Sequence, residues 1–91
     1  MKKTKIIAIN LDKERHIKFD LNAFEIIENL TGKSVAEIGQ DMKMSTLKVL
    51  LYAGLKWEDK DLTAEYVGTL VTLDNLQEVS EKLGDCFGSV K

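Results

Sequence analysis

A chain of 91 residues with 44% hydrophobic and 31% charged side chains has the balance of one folded domain, which argues against intrinsic disorder. No apolar run approaches the roughly 20 residues of a membrane-spanning helix, and a single cysteine, Cys86, excludes an internal disulfide and fits a reducing compartment. The net charge of −2 combines a basic excess over residues 1–57 with an acidic excess over residues 58–91, which argues against a nucleic-acid partner. We expect one domain over residues 1–91.

Residues 1–19 predict a β-hairpin. Residues 6–9 (Ile-Ile-Ala-Ile) favour a strand, residues 12–15 (Asp-Lys-Glu-Arg) read as a polar turn, and residues 16–19 alternate polar with apolar side chains. Because a lone hairpin is marginally stable in water, we expect it to pack on helices or to extend a sheet in a neighbouring subunit.

Capping signals divide residues 20–88 into helices. The first helix has a good N-cap, two phenylalanines spaced for a hydrophobic staple and a C-terminal glycine: Asp20, Phe19, Phe24 and Gly32. Ser34 and Glu37 then form a capping box for a short helix over residues 35–40. The fold class predicted for the chain is α+β, an N-terminal hairpin followed by a small bundle of four to five helices.

A central helix is predicted to be almost wholly apolar. Ser45 or Thr46 caps it, and it runs to about Trp57. Its solvent-facing strip is narrow and consists of Lys48, Tyr52 and Lys56. In a small domain, a helix with apolar residues on nearly all of its sides is expected to lie at the centre of the core or of an oligomer.

The next predicted helix follows an acidic loop over residues 58–61. Thr63 caps this helix, and Leu62 and Val67 are spaced as its hydrophobic staple. Gly68 is small enough to let another helix approach closely.

The last helix is predicted to start at Asp74 with Gln77, and its apolar positions follow one another at intervals of three and four residues. Such a stripe suits packing on the bundle or on a partner, and aromatic residues are enriched at interfaces. For Trp57 and Phe87, a place in the core and a place at an interface both stay open. The candidate partner-binding residues are Tyr52, Trp57, Leu76, Val79, Leu83 and Phe87.

Two segments superficially match ligand-binding loops. Residues 31–34 (Thr-Gly-Lys-Ser) match the end of a phosphate-binding loop, but the position of its first glycine is Ile27 and the segment follows a helix. Residues 58–61 fail as an EF-hand, since the sixth and twelfth positions counted from Asp59 are Ala64 and Leu70. We expect a helix junction and a solvated loop, with no metal and no cofactor.

The other residues that could carry chemistry are sparse. His16 is the only histidine, so a nucleophile–base pair is hard to assemble, and we expect it on the surface of a strand. Cys86 has only Lys82 as a nearby helical cation and is expected to be half-buried. Residues 64–71 contain no basic side chain, which argues against a DNA-recognition helix. No catalytic residue is predicted, and the chain is not expected to be an enzyme.

Five segments along the chain carry a family resemblance. They are residues 17–24 (Ile-Lys-Phe-Asp-Leu-Asn-Ala-Phe), 28–34 (Glu-Asn-Leu-Thr-Gly-Lys-Ser), 47–55 (Leu-Lys-Val-Leu-Leu-Tyr-Ala-Gly-Leu), 61–68 (Asp-Leu-Thr-Ala-Glu-Tyr-Val-Gly) and 75–79 (Asn-Leu-Gln-Glu-Val). In these patterns of hydropathy and capping, the chain resembles the tail assembly chaperones of long-tailed bacteriophages and prophages.

The resemblance implies a non-enzymatic, self-associating protein in the cytoplasm of an infected bacterial host. Such chaperones coat the tape measure protein, prevent its aggregation and help to recruit tail tube subunits around it. Many phages make a short and a frameshift-extended form, and the resemblance implies that this chain corresponds to the short one. The family has no catalytic residues to carry over. The alternative from another class is a small protein-binding regulatory adaptor of a phage or prophage, and an enzyme is the third.

Overall fold

The computed structural model describes residues 6–38 and 44–88, and these residues form an α+β fold. A two-stranded hairpin is followed by helices, as predicted. The strands are β1 (Ile6–Asn10) and β2 (Glu14–Lys18), and the helices are α1 (Leu21–Thr31), α2 (Val35–Ile38), α3 (Met44–Leu55), α4 (Ala64–Leu70) and α5 (Leu76–Gly88).

The hairpin is antiparallel and its connection is residues 11–13. The predicted turn over residues 12–15 is therefore wrong in its position, because Arg15 lies within β2 and is buried. A charged side chain can occupy this strand position because the carboxylates of Asp12 and Asp59 both pair with it.

The predicted boundaries of α1 are confirmed. Asp20 Oδ1 accepts a hydrogen bond from Ala23 N at 3.0 Å, which satisfies one of the free N–H groups of the first turn. The rings of Phe19 and Phe24 stack with their centroids 6.4 Å apart, as expected of a staple. Gly32 ends the helix at φ 72°, a left-handed conformation that favours glycine.

The capping box of α2 is also formed. Ser34 N donates to Glu37 Oε1 at 2.9 Å, and Glu37 N donates to Ser34 Oγ at 3.3 Å. The hydrogen bonds from Ser34 lower the pKa of the Glu37 carboxyl. The predicted end of this helix, residues 39–40, lies outside the described residues.

Helix α3 is the centre of the fold, as its apolar sequence predicts. It packs against α1, β2, α4 and α5. It begins at Met44, so Ser45 and Thr46 lie in its first turn and do not cap it, and it ends at Leu55, two residues before the predicted end. Its buried residues are Leu47, Leu50, Leu51, Ala53, Gly54 and Leu55.

The start of α4 is confirmed and that of α5 is corrected. Thr63 Oγ1 accepts from Tyr66 N at 3.1 Å, so Thr63 is the N-cap of α4. Helix α5 begins at Leu76 and not at Asp74. Residues 72–75 instead form a separate hydrogen-bonded turn before the helix. Asp74 lies within this turn, so it does not form a capping box with Gln77.

The core lies where the helices meet one face of the hairpin. Ile9 and Ile17 from the strands join Ile27, Leu50 and Leu83 from the helices, all almost completely buried. Among the helices that the structure describes, none is long and apolar enough to cross a membrane.

Candidate protein-binding surface

An apolar groove of about 440 Å³ opens between the start of α3, the end of α4 and the start of α5. We call it the α3–α5 groove. It is lined by Met44, Leu47, Lys48, Gly68, Val71, Thr72, Leu73, Leu76 and Val79. Its volume falls within the roughly 300–1,000 Å³ of sites that bind small molecules or side chains.

The floor and the rim of the groove differ in exposure. Leu47 and Val79 form a buried floor that is continuous with the core. Leu73 and Met44 stand at the rim with 92% and 67% of their surfaces exposed. Because exposed apolar side chains that border an apolar depression mark interaction sites, the groove is the best candidate for a partner surface among the described residues.

The exposed position of Leu73 is fixed by the turn over residues 72–75. Thr72 N donates to Asn75 Oδ1 at 2.8 Å, and Asn75 N donates to Thr72 O at 3.2 Å. Asn75 Nδ2 also donates to Leu70 O at 2.9 Å, which satisfies a carbonyl at the end of α4. The hydrogen bonds of Thr72 and Asn75 therefore hold Leu73 at the tip of an ordered turn.

Lys48 is the charged residue that lines the groove. Its aliphatic stem passes over Gly68, since a Cβ atom placed there would lie 3.1 Å from Lys48 Cδ. Gly68 was predicted to let another helix approach closely, and its missing side chain leaves room for Lys48 of α3. Within the part of the chain that the structure describes, Lys48 forms no ion pair.

The predicted residues of α5 separate into different environments. Leu76 and Val79 line the groove, with Leu76 half-buried and Val79 in its floor. Leu83 is fully buried in the core of the single chain. The side chain of Phe87 lies outside what the structure describes.

Trp57 and Tyr52 are not part of the groove. Trp57 is 37% exposed, its Nε1 donates to His16 O at 2.9 Å, and Lys18 Nζ lies 4.3 Å from the centre of its ring. The indole therefore joins the residues after α3 to β2. Tyr52 is half-buried with Lys56 Nζ 5.4 Å from its ring centre.

A charged cluster joins the hairpin to the helical part. Arg15 Nε and Nη2 donate to the two carboxylate oxygens of Asp12 at 2.8 and 2.9 Å, and Nη1 donates to Asp59 Oδ2 at 3.4 Å. Tyr66 Oη donates to Asp12 Oδ2 at 2.8 Å. The cluster connects the hairpin with α4 and with the loop before it.

The hydrogen bonds of this cluster shift the ionisation of its members. The hydrogen bond from Arg15 holds the pKa of the Asp12 carboxyl well below its usual range, and the same bond raises the pKa of Arg15. The bond that Tyr66 donates to Asp12 raises the pKa of the phenol, because losing that proton would place two negative charges together.

The acidic loop is largely exposed, as expected, and two of its side chains also bond to β2. His16 N donates to Glu58 Oε1 at 3.1 Å, and His16 Nδ1 lies 2.8 Å from Glu58 Oε2. Asp59 pairs with Arg15, as described above. In the described ranges no three His, Cys, Asp or Glu side chains group as metal ligands. Cys86 is half-buried, as predicted.

Comparisons with protein-family models, with curated proteins and with solved structures find no match to this chain.

Of the residues that line the groove, Leu76 and Val79 are the ones predicted from the sequence to bind a partner. Leu73 is an apolar residue within a polar turn (Thr-Leu-Asp-Asn), a pattern that singles out an exposed side chain once the turn is recognised. Met44 and Lys48 carried no comparable signal, because their role depends on which helix ends lie beside the start of α3. What these residues can do together is receive apolar side chains next to one positive charge.

Proposed function

We propose that the protein is a phage tail assembly chaperone. In this function it binds the tape measure protein in the cytoplasm of the bacterial host and promotes assembly of the tail tube around it, without catalysing a reaction. The five segments of family resemblance, residues 17–24, 28–34, 47–55, 61–68 and 75–79, support the identity of the partner.

The observation that carries the proposal is the α3–α5 groove with its exposed rim. A tape measure protein is long and largely helical, and it exposes apolar stripes until the tube encloses it. A protein that keeps such stripes in solution needs apolar surface of its own and several copies along the length, so that weak contacts add up. The buried floor and the exposed Leu73 and Met44 supply such a surface.

Co-expression with a tape measure protein from the same genome tests the proposal. We expect the wild-type chain to keep the tape measure protein in the soluble fraction and to co-purify with it. Leu73→Asp should lower the recovered complex severalfold, because it places a charge at the rim of the apolar groove. Leu21→Asp is the matched control, since Leu21 is 80% exposed and does not line the groove.

An insoluble tape measure protein and no recovered complex with the wild-type chain would refute the proposed function. Self-association is part of the same proposal, and light scattering of the purified chain should give a mass above that of one copy. A strict monomer at all concentrations would count against it.

A further inference from the structure

We propose that the α3–α5 groove binds one amphipathic helix of the partner, with the apolar stripe of that helix in the groove and an acidic residue beside the stripe paired with Lys48. This inference deepens the proposed function and depends on it for treating the groove as the partner surface.

The backbone around the groove favours a helix over an extended segment. A strand binds by adding its backbone hydrogen bonds to a free sheet edge. The groove is instead lined by three helices and the turn over residues 72–75, whose own hydrogen bonds occupy much of their backbone. A helix satisfies its own backbone and needs only side-chain contact, which is what an apolar groove offers.

The size of the groove sets how much of the helix it receives. About 440 Å³ has room for roughly two or three aliphatic side chains, which is one stripe at positions i, i+4 and i+7. Leu73 and Met44 stand on the rim, where they can contact the flanks of such a helix.

Charge selects among the helices that would fit. Lys48 is exposed, and its stem passes close to Gly68. Its ammonium group has no acidic partner among the described residues. A carboxylate next to the apolar stripe of the bound helix would complete this pair, whereas a lysine in that place would be repelled.

Fluorescence polarisation with synthetic peptides tests the inference. Three labelled helical peptides of about 16 residues are used: one has leucines at i, i+4 and i+7 flanked by glutamates, the second has lysines in place of the glutamates, and the third has the leucines of the first scrambled. We expect the wild-type protein to bind the first peptide about tenfold more tightly than the second, and the third not measurably. The preference should shrink at high salt, because the ion pair lies at the rim.

Two lysine variants test whether Lys48 is the charge that distinguishes the two peptides. Lys48→Glu should reverse the preference, so that the lysine peptide binds better than the glutamate peptide. Lys33→Glu is the matched control, since Lys33 is an exposed lysine that lines a smaller groove of about 260 Å³ elsewhere on the protein. It should leave both affinities within about twofold.

Several results would overturn the inference. These are equal binding of the glutamate and lysine peptides, an unchanged preference in Lys48→Glu, and loss of binding in Lys33→Glu alone. Failure of all peptides to bind, together with loss of self-association in Leu73→Asp, would assign the groove to a second copy of the chain. Circular dichroism of each variant checks that it is folded.

The inference and the proposed function fail in different ways. If the wild-type chain and Lys48→Glu solubilise the tape measure protein equally, the inference is wrong and the function stands. If the peptides are discriminated as expected but the tape measure protein stays insoluble, the groove has the stated specificity and the proposed function is wrong.

Discussion

Arg15 was predicted to lie in a polar turn, but it is a buried residue of β2. Among lysine, glutamate and aspartate neighbours it reads as part of a turn, yet it faces the interior opposite Ile9. Taking a guanidinium out of water is costly unless charged partners meet it. Asp12 lies three residues from Arg15 in the chain, but Asp59 comes from a loop 44 residues away.

The Asp12–Arg15 pair predicts a pH-dependent difference in stability. Because the folded pKa of Asp12 lies below its unfolded value of about 4, its contribution is present above pH 4 and is lost as the pH falls toward the folded value. We expect Asp12→Asn to lower the free energy of unfolding by about 1–2 kcal/mol at pH 7 and by less at pH 3. Urea unfolding at both values measures this.

Asp61→Asn is the control for that experiment. The Asp61 side chain bonds to no described residue, so the variant should match the wild type at both pH values. If the difference in unfolding free energy between the wild type and Asp12→Asn were the same at pH 7 and pH 3, the charge of Asp12 would not stabilise the protein through its pair with Arg15.

Gly54 fixes how closely α3 approaches β2. A Cβ atom there would lie 2.7 Å from Ile17 Cγ2 and 3.1 Å from Phe19 Cζ, and the β-branched Ile17 is fully buried. We expect Gly54→Ala to lower the free energy of unfolding by about 1–2 kcal/mol, because overpacking outweighs the gain in helix propensity.

Gly84→Ala separates these two effects. Gly84 lies in α5 and a Cβ atom there meets nothing within 4 Å, so alanine should raise stability by up to about 1 kcal/mol. Chemical denaturation gives the unfolding free energy of both variants. A Gly54→Ala variant more stable than the wild type would contradict the close packing of α3 on β2.

At the scale of elements, the segment after α3 binds the two parts of the fold together. Lys56 Nζ donates to the carbonyls of Lys60 and Leu62, each at 2.7 Å, which shapes the loop. Trp57, Glu58 and Asp59 then bond to β2. A hairpin that is marginal alone is thereby attached to the helical part by Trp57 and by two side chains of the acidic loop.

Removing one of these bonds should weaken the attachment. Trp57→Phe keeps an aromatic ring but loses the hydrogen bond to His16 O, so we expect a loss of about 1 kcal/mol in unfolding free energy. Tyr52→Phe, which removes a hydroxyl that donates to no described residue, should stay within about 0.5 kcal/mol of the wild type. Thermal unfolding of the two variants compares them, and equal stabilities would argue against a structural role for the indole N–H.

At the scale of the molecule, leucine has one role in the core and another at the surface. Leu83 and Leu73 lie ten positions apart, yet Leu83 is fully buried and Leu73 is 92% exposed. Among the described side chains of the predicted interface stripe of α5, Val79 and Leu83 are buried within the chain, and Leu76 and Val79 line the groove.

This contrast is open to measurement. Leu83→Ala should cost about 2–5 kcal/mol by leaving a cavity, whereas Leu73→Ala should change the unfolding free energy by less than about 0.5 kcal/mol. Urea titrations give both values. A large loss in Leu73→Ala would place that side chain in the core and remove the rim of the groove.

The sequence by itself determined the order of the elements, the helix caps at Asp20, Ser34 and Thr63, and the central place of α3. These depend on local hydrogen bonding and on the period of apolar residues, which are written along the chain. Tertiary structure alone decided that Arg15 is buried, that the acidic loop binds β2 and that Lys48 passes over Gly68 beside an apolar groove. Each of these depends on contacts between residues far apart in the chain, and no local pattern specifies which charge meets which partner.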